Sequence, residues 1–203
     1  MPLPSSPNPF DQSARDWDKR RMSVQLAEVS DLLLPLLQLN ASQHWLDFGS
    51  GTGLLSLPLA KKVEWVTALD TSEKMLEVLA EKGIANIQPL NQNVFSGLPH
   101  DYDGVISCMA LHHVDATDVL LQKFYCHLKK DGQLALVDLY AEDGSFHGDN
   151  EGKGVKHLGF DIEVLRGMAK KVGFVEISFS EIMQIQHRNG SAYPLFVMLA
   201  RRR

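Results

Sequence analysis

The sequence predicts a doubly wound α/β domain, and three observations carry that prediction. Trp45-Leu46-Asp47-Phe48-Gly49-Ser50-Gly51-Thr52-Gly53 runs from an apolar strand into a glycine-rich loop, and Leu54, Leu55, Leu57, Leu59 and Ala60 continue as a helix. A second apolar run, Trp65-Val66-Thr67-Ala68-Leu69, ends in a carboxylate at Asp70. Strand patterns then alternate with helical ones toward the C-terminus, which implies a mostly parallel sheet covered on both faces.

Residues 1–12, with Pro2, Pro4, Pro7 and Pro9, read as a flexible lead without the apolar core of a secretory signal. Over residues 15–39 the spacing of Trp17, Met22, Val24, Leu26, Val29, Leu32, Leu33 and Leu36 predicts one or two amphipathic helices, bent or divided at Pro35. Residues 1–40 are therefore expected to form a lead and lid-like helices packed on a main domain at 41–203, within a single structural unit. After Asp70, Thr71 or Ser72 can cap a helix that runs through Met75, Leu76, Val78 and Leu79 to Gly83. Further strands are expected at 87–90, 104–108 and 133–139, with helices at 119–128 and 162–172, the second stopped by Gly173. The last two strands, 175–179 and 195–199, have no helix between them and should pair as an antiparallel hairpin.

At 203 residues the chain suits one domain with a sizeable core. No apolar run is long enough to span a bilayer. Cys108 and Cys126 cannot supply a zinc site alone and fit a reduced, cytoplasmic setting. A net charge of −5 argues against a large nucleic-acid footprint.

Three glycines in five positions imply a tight loop against which a ligand lies directly, with a helix N-terminus behind it. A dinucleotide fingerprint wants Gly-x-Gly-x-x-Gly, but the place of its third glycine holds Leu54. Asp47, two residues before the first glycine, is a poor neighbour for a pyrophosphate and a suitable one for a ligand bearing an ammonium group. With its acid followed by Gly-x-Gly-x-Gly, the chain resembles the class I S-adenosylmethionine-dependent methyltransferases. That resemblance implies a Rossmann-like sheet of seven strands with an antiparallel last strand.

The resemblance spans roughly residues 10–200 and implies a site. Asp47 with Gly49, Ser50, Gly51, Thr52 and Gly53 would hold the methionyl end of S-adenosylmethionine; the plainer reading of Asp47 is a brace for the glycine loop. Asp70, about twenty residues past Gly51, can accept both ribose hydroxyls or cap the following helix, and Thr71 adjoins it. Met75 packs against adenine or in the core. Asn93 and Val94 stand where the family has an acid for the adenine amino group, and the Asn carbonyl can still accept that bond. Lys129-Lys130-Asp131-Gly132 keeps only the turn of the family's Lys-Pro-Gly-Gly.

Ser107-Cys108-Met109-Ala110-Leu111-His112-His113-Val114 resembles the Leu-His-His-Val block of the branch that includes ubiquinone and menaquinone biosynthesis enzymes. His112 or His113 could serve as a general base if the acceptor must lose a proton, or could pack structurally. Cys108 lies at the sheet edge where the cofactor would sit. Adjacent histidines point apart in an extended chain, so no metal site is expected, and His147, His157, Asp149 and Glu151 show no diagnostic ligand spacing. The long stretch 140–160 makes His147 and His157 pocket candidates, beside Asp138 and Trp17. Trp17 could face the sulfonium by cation–π attraction or simply pack on its helix. The acceptor implied is a small molecule. A non-catalytic binder of the cofactor and a nicotinamide-dependent oxidoreductase are the alternatives.

Overall fold

The computed structural model describes residues 8–203, so residues 1–7, with Pro2, Pro4 and Pro7 of the expected lead, lie outside the described residues. From Asp11 the chain is already helical. It forms a 3-10 segment Asp11–Lys19, helices α1 (Arg21–Leu26) and α2 (Val29–Leu33), and a 3-10 turn Leu34–Leu36. Four short pieces thus replace the one or two helices expected over 15–39. Pro35 has no N–H to continue the α2 ladder, and the last turn tightens there.

The sheet strands are β1 (His44–Phe48), β2 (Trp65–Asp70), β3 (Ile87–Asn91), β4 (Tyr102–Cys108), β5 (Leu128–Leu139), β6 (Val175–Gln186) and β7 (Ala192–Arg201). The intervening helices are α3 (Ser56–Ala60), α4 (Glu73–Glu81), α5 (Thr117–His127) and α6 (Ile162–Val172). Strand order is β3-β2-β1-β4-β5-β7-β6, with β7 antiparallel to both of its neighbours and every other pairing parallel. The expected seven strands and reversed last strand are therefore present. The 129–132 turn is instead absorbed into β5, where Asp131 takes a positive φ of 62° and the β4 register shifts between Tyr102 and Gly104. Such a bulge keeps a strand running through a turn-like sequence.

Alternation along the strands divides the core in two. Trp45, Ile106, Ala135 and Val137 face one cluster with Val29, Leu33 and Leu59. Leu46, Val105, Leu134 and Leu136 face the other with Leu120, Phe124 and Leu165. Both faces are thus sealed, and what remains for a ligand is the carboxyl edge. The strand order reverses between β1 and β4, whose last paired residues, Phe48 and Ser107, stand side by side in the ladder. That reversal opens a crevice in doubly wound sheets.

Candidate functional site

Beyond Phe48 the chain turns through Gly49, Gly51 and Gly53, with φ of 67°, 53° and 95°. A side chain on Gly49 would stand 2.3 Å from the Ala110 methyl, so the loop after β4 can approach only a glycine. At Gly51 nothing lies within 4 Å of the position a Cβ would take, which leaves bare backbone open to a ligand. Regular helix begins only at Ser56, two residues later than the apolar run suggests, because Gly53 first closes a turn on the Ser50 carbonyl at 2.8 Å.

Two carboxylates lie beneath this loop. The Gly51 amide donates to Asp70 Oδ2 at 2.8 Å and the Ser72 amide to Asp70 Oδ1 at 2.8 Å, so Asp70 ties the glycine loop to the start of α4. Burial pushes its pKa up, and the Ser72, Gly51 and Thr71 amides pull the other way. Asp47 is 2% exposed and accepts the Ser56 hydroxyl at 2.5 Å. Burial above all, with the charge of Asp70 added, raises it to about 7 against the hydrogen bond from Ser56. The Ser50 hydroxyl is buried without a partner. The loop therefore holds more negative and polar capacity than its own residues satisfy.

The N-terminal segment lies across this loop. Thr52 Oγ1 donates to Asp18 Oδ1, and Lys82 Nζ donates to Asp18 Oδ2 and to the Thr52 carbonyl, both at 2.7 Å. Ser72 Oγ donates to Asp11 Oδ1 at 2.7 Å while accepting the Met75 amide, so Ser72 rather than Thr71 caps α4. Thr71 Oγ1 accepts Asn8 Nδ2 at 3.1 Å. Arg15 also pairs with Glu81. Trp17 is half-buried, edge-on to Phe10 and under the Arg20 guanidinium, which is packing within its own segment.

The second half of the site follows β4. Met109 takes a positive φ of 58°, a strained value for a non-glycine residue, and its amide reaches the Val137 carbonyl at 2.9 Å. The reversal leads into the 3-10 turn Leu111–His113. His112, 1% exposed, donates from Nδ1 to Asp138 Oδ1 at 2.7 Å and from its amide to Oδ2 at 3.2 Å. Asp138, 0% exposed, also accepts the Leu139 amide at 2.7 Å. It is thus a positioning residue fixing the His112 ring rather than an exposed pocket wall.

The segment 140–160 is pinned at its base by Phe160 N–H to Leu139 at 2.9 Å and Ala141 N–H to Phe160 at 3.0 Å. Its far end bonds the His112 carbonyl through the Lys156 and His157 amides at 2.9 and 3.1 Å. Phe146, fully buried against Tyr193, anchors the tip and delivers His147, whose Nε2 lies 3.0 Å from His112 Nε2. His113 Nδ1 donates to the Gly154 carbonyl at 3.2 Å, and its ring meets Phe10 edge-on. Burial, then the neighbouring imidazoles, lowers His113 to about 4 and His147 to about 3, so both are neutral at physiological pH. Burial and the charges of Asp138 and Asp47 push the Cys108 thiol well up.

The expected divergence of His112 and His113 does not occur. Their ring centroids are 4.1 Å apart, because the pair sits in a 3-10 turn and not in extended chain. His157 does not join the cluster; its Nε2 donates toward the Val114 and Asp115 carbonyls at 3.0 and 3.1 Å and braces the start of α5. Met75 is buried in the first turn of α4, Val94 is buried, and Asn93 is exposed with its side chain accepting the Phe95 amide at 2.9 Å. Ser56 and Lys82 are not singled out as site residues by the sequence, and the partners of Asp11 and Asp18, which fall in the segment resembling the family's N-terminal cover, emerge only in the fold. Of these, Ser56 alone leaves a sign in the sequence, as a hydroxyl within the apolar run that follows the glycine loop.

Residues 46–132 match the family described as a methyltransferase domain. A Mycobacterium bovis protein described as an uncharacterised methyltransferase is 34% identical over 57% of this chain and 58% of its own length. A Schizosaccharomyces pombe protein of the same description is 28% identical over 56% of this chain and 45% of its own. The chain thus spans about half the length of these relatives. Among solved structures, the methyltransferase bound to the Haloferax volcanii Trm112 activator superposes with a TM-score of 0.81 at 15% identity, covering 97% of this chain and 99% of that one. Haemonchus contortus phosphoethanolamine N-methyltransferase 2 with S-adenosyl-L-methionine gives 0.73 at 15%, covering 95% and 60%. The cyclase SpnF gives 0.67 at 15%, covering 89% and 81%, so the shared fold does not by itself select the reaction.

Proposed function

We propose that this chain is an S-adenosylmethionine-dependent methyltransferase acting on a small-molecule acceptor. The observation that carries the reading is the carboxylate pair beneath an open glycine loop: Asp47 is held at about 7, and Asp70 is also raised. A pyrophosphate brought against these groups would meet charge of its own sign, whereas a ligand with an ammonium group relieves the burial of Asp47. The bare backbone at Gly51 and the unpartnered Ser50 hydroxyl also fit a ligand that lies on the loop.

In this reading Asp47 and residues 49–53 hold the amino-acid end, while Asp70, Thr71 and the Asn93–Val94 turn hold the nucleoside. When bound, the cofactor supplies an electrophilic methyl group on a sulfonium. The protein contributes orientation and exclusion of water. The described part of residues 1–40 serves as the lid over the 41–203 domain, latched by Asp18 on Thr52 and Lys82. Asp138 keeps the His112 proton on Nδ1, so Nε2 carries the lone pair; His147, 3.0 Å from that nitrogen, must swing aside before it takes a proton from an acceptor that must lose one. His113, neutral and less buried, is the alternative base.

The Leu111-His112-His113-Val114 block supports assignment to the branch that includes the ubiquinone and menaquinone biosynthesis enzymes. The net charge of −5 supports a small acceptor over a nucleic acid. Among the described residues no helix is long and apolar enough to cross a membrane, and the free Cys108 and Cys126 fit a cytoplasmic setting.

Calorimetry and thermal shift with S-adenosylmethionine, S-adenosylhomocysteine and NAD test the reading. Binding of the first two but not NAD is expected, and binding of NAD alone would overturn it. Release of S-adenosylhomocysteine in the presence of an acceptor then separates an enzyme from a non-catalytic binder.

A further inference from the structure

His112, His113 and His147 come from two separate segments, yet each brings one ring nitrogen to within 4.8 Å of the other two. We propose that these three imidazoles bind a divalent first-row transition ion of the zinc class, leaving a coordination position for water or an acceptor heteroatom. The binding site rests on the imidazole geometry alone and stands whether or not the chain transfers methyl groups. Only the suggestion that an acceptor takes the open position depends on the reading above.

Two of the rings are already oriented as ligands. Asp138 accepts Nδ1–H of His112 and the Gly154 carbonyl accepts Nδ1–H of His113, so each presents Nε2 as its lone pair. A carboxylate or carbonyl on the far nitrogen is the usual support of a metal-bound histidine, since it fixes tautomer and ring orientation. The Nε2 atoms of His112 and His147 are 3.0 Å apart. Two nitrogens on one tetrahedral zinc stand about 3.4 Å apart. That pair is therefore close to the required separation, and a ring nitrogen of His113 lies within 4.8 Å of both.

Without an ion, the 3.0 Å contact requires one proton between the two ε nitrogens. Asp138 has already placed the His112 proton on Nδ1, so the proton in the contact belongs to His147. Moving it to Nδ1 of His147 frees the third lone pair with no change in net charge. Three neutral nitrogens, with no thiolate or carboxylate among them, select zinc, cobalt, nickel or copper over magnesium or calcium. Three protein ligands and an open position are also the arrangement of catalytic rather than structural zinc.

The test uses the tag-free full-length chain, stripped with chelator and titrated with Co2+ and Zn2+ by calorimetry and visible absorption. One equivalent of Co2+ with an intense four-coordinate spectrum, displaced by Zn2+, is expected. Binding should weaken at least tenfold in both His147→Ala and His113→Ala, whose side chains are only half-buried. In the unsubstituted protein Co2+ should shift or broaden the ring resonances of His112, His113 and His147 ahead of those of His44, His100 and His157, a readout that needs no variant to fold. Absence of a bound equivalent, or affinity unchanged in both variants, would overturn the proposal. S-adenosylmethionine binding measured on the same samples keeps the two readings apart. Cofactor binding without Co2+ binding overturns the ion alone, and the reverse leaves the ion standing while the methyltransferase reading fails.

Discussion

Asp47 and Asp138 end neighbouring parts of the same sheet edge, and both are buried, yet their surroundings are opposite. Asp138 accepts two bonds from His112 and one from Leu139. Asp47 has only Ser56, through its hydroxyl and its amide, and is nonetheless driven up to about 7 by burial. A carboxylate with its donors in place is structure; one left short of them is capacity for a cation that arrives later. The half of the site around the glycine loop thus keeps an under-served carboxylate, whereas the half around the histidines is internally paired.

The sharpest break of that contrast is at Gly51. Replacement by Leu sets a side chain on a backbone at φ 53° and fills the open face, so S-adenosylmethionine affinity should fall at least about 100-fold in calorimetry. The His112 ring resonances, which report the other half, should stay where they are.

The two carboxylates should then respond with opposite sign to the same substitution. Asp138→Asn sets an amide N–H2 against a donor and should cost on the order of 2–3 kcal/mol in chemical denaturation at pH 8. Asp47→Asn should instead stabilise the cofactor-free chain, and the pH dependence gives the check. The unfolded Asp47 ionises from 3.8 and the folded one only near 7. Folding stability therefore falls as pH rises through that window and stays low above it. The gain from Asn at pH 8 should be on the order of 3 kcal/mol and should shrink toward pH 5, while cofactor affinity drops. A loss of stability at pH 8 would mean that Asp47 is as well served as Asp138.

The smallest effect belongs to the contact between the N-terminal segment and the glycine loop. Asp18 is about half exposed, so Asp18→Ala should cost less than about 1 kcal/mol of stability. Stopped-flow measurement of S-adenosylmethionine release should nonetheless show a rate several-fold higher, because Thr52 and Lys82 lose their link to the N-terminal segment.

What was legible in the sequence follows the same division. Strand β1, its glycines, strand β2 and Asp70 are contiguous or nearly so, and their roles arise from backbone angles and alternation that a linear pattern records. Helix α6 with its Gly173 stop and the closing hairpin were legible for the same reason. The four-piece N-terminal segment was not, since its breaks depend on what Asp11, Arg15 and Asp18 meet on α4 and the glycine loop. The direction of two adjacent histidines also escaped the pattern, because a strained Met109 and a single 3-10 turn set it.

The sequence by itself determined the doubly wound class, the place of the glycine loop and the two acids beneath it, because each is a local consequence of glycine, alternation and chain order. Only the tertiary structure decided which acid is satisfied and which histidines meet. Those outcomes turn on side chains as far apart as His112, Asp138 and His147, brought together when β4, β5 and the 140–160 segment close over one edge of the sheet.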